Sequence, residues 1–281
     1  MKIVNFKVND KHKFGIIKDN GIVDASAIYG NKYPSLKTFL ENEDIKGLKK
    51  INASGVDYLL DDIEFLPVID NPTKIICVGM NYSEKRAEFN ELNPEPTLFV
   101  RFADSQTGHR SFVNKPVESR EFDYEGELAV IIGKTCSHVR EEKALDYVAG
   151  YSCYMDGSAR DWQHTWYTAG KNWPRTGAFG PWLTCKDEIT DPHNLSIRTF
   201  LNSNEVQNDN TRNMIHKIPY LIAYISTFTQ LNAGDVIITG SPGGVGKKRT
   251  PPLFLKDGDC IEVEIEGLGR LSNHIKEAFA L

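Results

Sequence analysis

Five cysteines among 281 residues are few, and their placement excludes more than their number does. Positions 77, 136, 153, 185 and 260 are scattered, odd in count and contain no Cys-x-x-Cys pair. That pattern excludes a disulfide framework and a cysteine zinc site, and fits reduced thiols in a cytoplasmic protein. Long apolar runs are missing as well, since none approaches the roughly 20 residues that span a bilayer. The opening residues interrupt their apolar side chains with charge and do not read as a signal peptide. A net charge of -5 gives neither nucleic acid nor an anionic membrane as a partner. None of the seven histidines pairs with another at metal-binding spacing, although His109, His164 and His216 lie near motif-bearing segments. No Gly-x-Ser-x-Gly elbow is present, which argues against a serine hydrolase. The Gly-rich run at 240–246 is no P-loop. Five residues separate Gly240 from Gly246, and Lys248 stands where a hydroxyl is required.

What remains is an ordinary globular composition, 40% hydrophobic and 25% charged, in a chain long enough for a substantial core. Residues 1–68 read as a small unit. Alternation over 2–8 and 13–17 predicts strands, and Asp19-Asn20-Gly21 predicts a hairpin turn before Ile22 and Val23. A short helix is expected over 35–42 with Ser35 as its cap. Asn71-Pro72 then marks a connection into a second unit, 69–281. That unit begins with a buried strand at 74–79 and a polar helix at 83–92, capped by Ser83, which has the character of a surface lid. Residues 103–122 show weak periodicity and read as a long functional connection. Strands are expected near 98–102, within 122–134, and near 148–155, 195–202, 236–239, 260–265 and 269–275. Helices are expected at 141–147, after Ser158 and at 218–231. Strands outnumber helices, and few helices fall as regular crossovers. The fold class is therefore β-rich α+β, a mixed-sheet roll or barrel preceded by a small N-terminal α+β domain.

The chemistry centres on residues 122–134, where Glu125 and Glu127 stand two apart at the mouth of an apolar run. Side chains two apart on a strand share a face, and adjacent carboxylates repel unless a cation or a proton lies between them. Asp156 ends the apolar run 148–155 and supplies a third carboxylate. Three carboxylates suit a hard divalent ion such as Mg²⁺ and leave positions open for water and a chelating oxo acid. Lys171 opens a Gly- and Trp-rich loop and can reach into such a site. Ser241 offers a hydroxyl on the 240–246 loop. On a helix after Ser158, Gln163 and Tyr167 would share one face.

These motifs, with Asn81 and Tyr82, residues 156–163, 170–181, 218–219, 234–237 and Pro251-Pro252, occur in an order that resembles the fumarylacetoacetate hydrolase family over roughly 70–275. The resemblance is to its bacterial acylpyruvase and 2-hydroxyhepta-2,4-diene-1,7-dioate isomerase branch. It implies a homodimer with Mg²⁺ or Mn²⁺ on Glu125, Glu127 and Asp156. It also implies Lys171 beside the metal, and Tyr82, Gln163, Tyr167 and Ser241 toward the substrate. Members of the family cleave, decarboxylate, tautomerise or dehydrate small 2-oxo acids, commonly in aromatic compound catabolism.

Two positions depart from the family pattern. Hydrolases of the family carry a lid with Asn-Tyr-x-x-His-x-x-Glu, whose His–Glu pair activates water; here Lys85 stands for the histidine, while Glu88 is kept. A lysine near its ordinary pKa of about 10.4 is no base at neutral pH unless it is desolvated or placed near other cations. Arg175 stands where many members carry threonine, with Thr176 one residue on. The expected activity is metal-dependent hydrolytic C–C cleavage of an acylpyruvate, with Glu88, Lys85 and Lys171 as catalytic residues. The alternatives are decarboxylation or keto–enol tautomerisation of an oxaloacetate-like acid, and a protein that binds oxo acids without turnover.

Overall fold

The computed structural model describes residues 1–42, 45–51 and 55–278. Its centre is the strand Gly126–Ile132, all seven residues of which are buried. The period-2 alternation of a strand divides those residues between two cores. Leu128, Val130 and Ile132 enter one apolar cluster, and Ala129 and Ile131 the other. Each branched side chain taken fully out of water contributes about 1.5–3 kcal/mol.

Around this strand runs a mixed sheet. Val148–Met155 pairs with it antiparallel on one side, and Val236–Ile238 antiparallel on the other. Ile75–Gly79 follows, parallel to Val236–Ile238, and Thr97–Arg101 forms the edge. In the other direction Gly177–Cys185 pairs with Val148–Met155. A second sheet runs in the order Asn204–Asn210, Ser196–Leu201, Cys260–Ile265, Gly269–Ala278 and Phe112–Pro116. Ile197, Val263, Ile265 and Leu271 from it share an apolar cluster with Leu128 and Val130. The result is the expected β-rich roll. Among the described residues no helix is long and apolar enough to cross a membrane.

The N-terminal strands lie at Lys2–Val8, Lys11–Lys18 and Gly21–Asp24. Ser35 caps the helix Leu36–Asn42 by accepting the Thr38 N–H at 3.2 Å. Lys2–Val8 also pairs with Gly177–Cys185, matching Ile3 to Leu183. Ile3, Phe14 and Phe39 share a cluster with Ile131 and Phe179. Sheet and core thus run across the expected 68/69 boundary.

Several local expectations need correction. No α-helix starts at Ser158; the next one among the described residues is Thr168–Lys171. Ser158–Ala159 is a short strand paired with Phe122–Asp123, and a single 3-10 turn, Arg160–Trp162, comes after it. Residues Glu141–Tyr147 are 3-10 rather than α. The lid helix is Ser83–Phe89, ended by Asn90 at φ 53°; Ser83 lies inside it and Tyr82 takes the cap position. The 103–122 segment holds Phe112–Pro116, a regular edge strand.

Candidate functional site

Register builds the site. Gly126 lies opposite Met155. One step outward the Asp156 N–H donates to the Glu125 carbonyl at 2.8 Å. One step inward Glu127 lies opposite Tyr154. Glu125, Glu127 and Asp156 therefore project from the ends of two neighbouring strands on one side. One oxygen from each lies within 4.8 Å of the others, and all three side chains are buried. Glu125 precedes the regular strand rather than belonging to it, yet the convergence expected of Glu-x-Glu is kept.

Carboxylates this close and this dry require compensation. Lys171 Nζ donates to Glu125 at 2.5 Å, Asp156 at 2.6 Å and Ser158 Oγ at 2.7 Å. Arg160 bridges Glu125 at 2.9 Å and Asp123 at 2.8 Å. Lys85 enters from the lid helix to pair with Glu125, and donates to Ser241 Oγ at 2.6 Å. Arg101 pairs with Asp156 from behind, with its other donors on Gly157 O at 3.0 Å and Thr176 Oγ1 at 2.8 Å. Glu127 alone has no ion pair among the described residues. Its carboxylate accepts the Gly240 N–H at 2.6 Å. Gly240 holds φ +97°, and a Cβ there would lie 2.8 Å from the Val78 carbonyl, so the close approach requires glycine.

The charges follow from these contacts. Burial would push Glu125 up, but Arg160, Lys171 and Lys85 together outweigh it and hold the carboxyl well below its ordinary range. Burial, then Asp156 and Glu125, push Glu127 well above that range. Asp156 and Glu125 hold the Lys171 ammonium above its ordinary value despite burial. Burial lowers Lys85. Glu125 opposes the shift, but shares its charge with two other cations, so burial prevails.

The cluster opens onto a narrow cleft lined by Lys85, Phe99, Arg160, Tyr167, Lys171 and Ser241 among others. A larger cavity, bounded by Leu40, Lys134 and Asp187, contains none of these groups. The structure thus brings Glu125, Glu127, Asp156, Lys85, Lys171, Tyr167 and Ser241 together. It does not bring Tyr82, Glu88 or Gln163 to the cleft wall. Tyr82 is packed in the core, its hydroxyl buried without a partner. Glu88 accepts the Gly244 N–H at 2.8 Å and so grips the glycine loop. Gln163, on a turn and not a helix face, stands behind Arg160 at 3.4 Å. No described histidine lines the cleft. His164 is exposed, and His109 packs edge-on to Phe65. His216 contributes its backbone, with Asn81 clamping its N–H and carbonyl. Sequence reading assigned no role to Arg101, or to Arg160 and Asp123 inside the quoted motifs; a basic residue ending a strand beside a carboxylate cluster was the available signal.

Residues 74–276 match the family described as fumarylacetoacetate (FAA) hydrolase C-terminal. The chain belongs to the fumarylacetoacetate hydrolase family. It is 42% identical to oxaloacetate tautomerase fahd2, mitochondrial, of Xenopus laevis, over 98% of this chain and 90% of that one. It is 38% identical to the fumarylacetoacetate hydrolase domain-containing protein 2 homolog of Dictyostelium discoideum, over 98% and 97%. A putative HpcE protein from Mycobacterium smegmatis superposes with a TM-score of 0.89 at 27% identity, covering 99% and 100%. Maleylpyruvate hydrolase from Sphingobium sp. SYK-6, in complex with manganese (II) ion and pyruvate, gives 0.84 at 28%, with the same coverage. Hydrolases and isomerases thus both occur among this family member's neighbours, and the chain is an enzyme of that superfamily. The expected cytoplasmic location does not stand, because the Xenopus relative and its mammalian counterparts are named mitochondrial. Reduced, scattered cysteines say only that a compartment is reducing, and do not distinguish one such compartment from another.

Proposed function

We propose that this protein is a divalent-metal-dependent keto–enol tautomerase of oxaloacetate-like 2-oxo acids, with the ion on Glu125, Glu127 and Asp156. The donor set fits a hard ion. It offers three convergent carboxylates, one of them, Glu127, without a counter-charge. The neighbour holding manganese and pyruvate supports the same assignment. Bound there, Mg²⁺ or Mn²⁺ would polarise the 2-oxo group and stabilise an enolate.

The observation that carries the choice of reaction is the state of the lid. Its one side chain in the cleft is the cation Lys85, while Glu88 is committed to Gly244. Among the described residues no His–Glu pair faces the cluster to activate water, which weighs against the hydrolysis first expected. Tautomerisation needs no water: a proton leaves C3 and one is gained at the enol oxygen, or the reverse. Lys85 Nζ, steadied by Ser241 Oγ, is the proton carrier on the cleft side. Lys171 fixes Glu125 and Asp156, so that neither carboxylate swings away during the transfer. Tyr167 and Phe99, with ring centroids 5.2 Å apart, form the apolar wall that excludes water. The identity to oxaloacetate tautomerases over nearly the whole chain supports the same reading. A homodimer is part of the proposal. The sheet edge Thr97–Arg101 is unpaired on one side, and Val100 and the adjoining Phe102 are exposed.

The test is incubation of the purified protein and Mn²⁺ with enol-oxaloacetate, fumarylpyruvate and acetylpyruvate. Accelerated enol decay without pyruvate release supports the tautomerase. Pyruvate from the acylpyruvates would restore hydrolysis, and pyruvate from oxaloacetate would indicate decarboxylation. Binding without turnover of any of the three would leave an oxo-acid-binding protein.

A further inference from the structure

We propose that the site takes up its divalent ion and a dianionic ligand as one electroneutral unit, so that a dicarboxylate tightens ion binding where a monocarboxylate of the same shape does much less. This rests on the reading of Glu125, Glu127 and Asp156 as ion ligands.

The argument is a charge count inside a dry network. Asp123, Glu125, Glu127 and Asp156 are buried, and so are Lys85, Arg101, Arg160 and Lys171. Ion pairs connect Lys85, Arg160 and Lys171 to Glu125, Lys171 and Arg101 to Asp156, and Arg160 to Asp123. With every carboxylate ionised, as ligation requires, four carboxylates against four cations leave no net charge apart from the ion's own. A site meant to hold a divalent ion by itself would carry an excess of negative charge; this one is already neutralised. Adding the ion leaves two positive charges out of water, where an uncompensated charge costs several kcal/mol. A dianion returns the count to zero, and a monoanion leaves one charge over.

The cations cannot simply move aside. Arg101 is 2% exposed, and Asp156, Gly157, Thr176 and Ser105 hold its guanidinium in place. Arg160 is anchored by Asp123, and Lys171 by three oxygens. Only Lys85, on the lid helix, faces the cleft with a single carboxylate partner. Arg101, remote in sequence and shielded from the cleft by Asp156, is therefore a positioning residue that sets the charge of the site. The coupling is reciprocal, so the ion raises the affinity for the dianion by the factor that the dianion raises the affinity for the ion.

The experiment is a Mn²⁺ titration of the whole protein, following the free ion by electron paramagnetic resonance, alone and with saturating oxalate or oxamate. Oxamate has the shape of oxalate with one charge fewer. Chelation in water is subtracted using protein-free titrations. Oxalate is expected to tighten Mn²⁺ binding about tenfold or more beyond chelation, within the range usual for coupled sites, and oxamate by clearly less. Lys85→Met removes one cation, so it should tighten Mn²⁺ binding without ligand and narrow the gap between oxalate and oxamate. If that variant does not fold, the wild-type comparison decides alone. Equal Mn²⁺ affinity under all three conditions overturns the proposal and leaves the metal site standing. If no Mn²⁺ binds under any condition, the metal reading falls and the proposal with it.

Discussion

Glu127→Gln should make the metal-free protein more stable while removing its response to divalent ions. Glu127 is 3% exposed, accepts only the Gly240 N–H, and lies with Glu125 and Asp156 inside a 4.8 Å cluster. A glutamine amide oxygen keeps the Gly240 bond, and the new N–H₂ faces two carboxylates that can accept from it. What the substitution removes is a carboxyl that can ionise only as a buried charge among like charges. Burial, then Asp156 and Glu125, push the Glu127 carboxyl well above its ordinary 4.5, so the folded protein keeps a proton that the unfolded chain has released. The folded state then binds more protons than the unfolded one above pH 4.5, and stability falls as pH rises from there. At pH 7 that interval, at about 1.4 kcal/mol per pH unit, sets a ceiling of about 3.5 kcal/mol. The gain from Glu127→Gln should therefore be near zero around pH 4.5 and as much as this ceiling at pH 7. At about 2–4 °C per kcal/mol, the neutral-pH difference is several degrees in Tm. Thermal unfolding in EDTA at pH 5 and pH 7 measures it, and a repeat with Mn²⁺ should raise Tm for the wild type alone. A variant less stable than wild type at pH 7 in EDTA, or a difference that ignores pH, would show that Glu127 is not an uncompensated charge.

Lys85→Met should lower the rate of oxaloacetate tautomerisation by about 10²–10⁴-fold, the usual contribution of a positioned proton carrier, as read from enol decay. Glu88→Gln keeps an acceptor for the Gly244 N–H and should cost less than about tenfold in the same assay, well short of the loss expected for a general base. His109 is held neutral, its Nδ1 accepting the Ser272 N–H at 3.1 Å, and burial pushes it down to about 4. The unfolded chain binds more protons between about pH 4 and 6.5, so stability is complete above 6.5 and falls by about 2–3 kcal/mol as pH drops to 4. Urea midpoints should show a smaller acid loss for His109→Gln than for wild type.

The carboxylate cluster was legible in the sequence because each member sits where an apolar run begins or ends, and strand ends in a mixed sheet gather at one rim. Lys171 was legible for a similar reason, as an isolated cation beside glycine. Arg101 was not. It is 55 residues from Asp156, and only the parallel placement of Ile75–Gly79 beside Val236–Ile238 carries its strand to the site. The strand Asn204–Asn210 escaped notice because its residues, Asn-Glu-Val-Gln-Asn-Asp-Asn, have little intrinsic strand preference. Six cross-strand pairs with Ser196–Leu201, across a turn with Asn202 at φ 50° and Ser203 at φ 67°, override that preference. The helix expected after Ser158 failed for the opposite reason. The Ser158 hydroxyl, spaced like a cap, is drawn instead to Lys171 and Glu125. Local pattern cannot anticipate a buried ionic partner supplied from elsewhere in the chain.

That ionic network also explains why one residue of the lid weighs so much on the chemistry. Lys85 is both the cleft-facing group of its helix and one of three cations on Glu125. A neutral side chain at that position would leave Glu125 paired with Arg160 and Lys171, with Ser241 free to bind water. With lysine, both Glu125 and Ser241 are occupied before any ligand arrives. On the proposed reading, that ammonium group takes the space of an attacking water and serves proton transfer instead. Glu88, released from any duty to water, holds the glycine loop, and that loop presents the Gly240 N–H to Glu127. In the proposed mechanism the lid lysine and one backbone contact thus act together: the first takes the place of a water-activating pair, and the second keeps the carboxylate cluster in place for a proton transfer that needs no water.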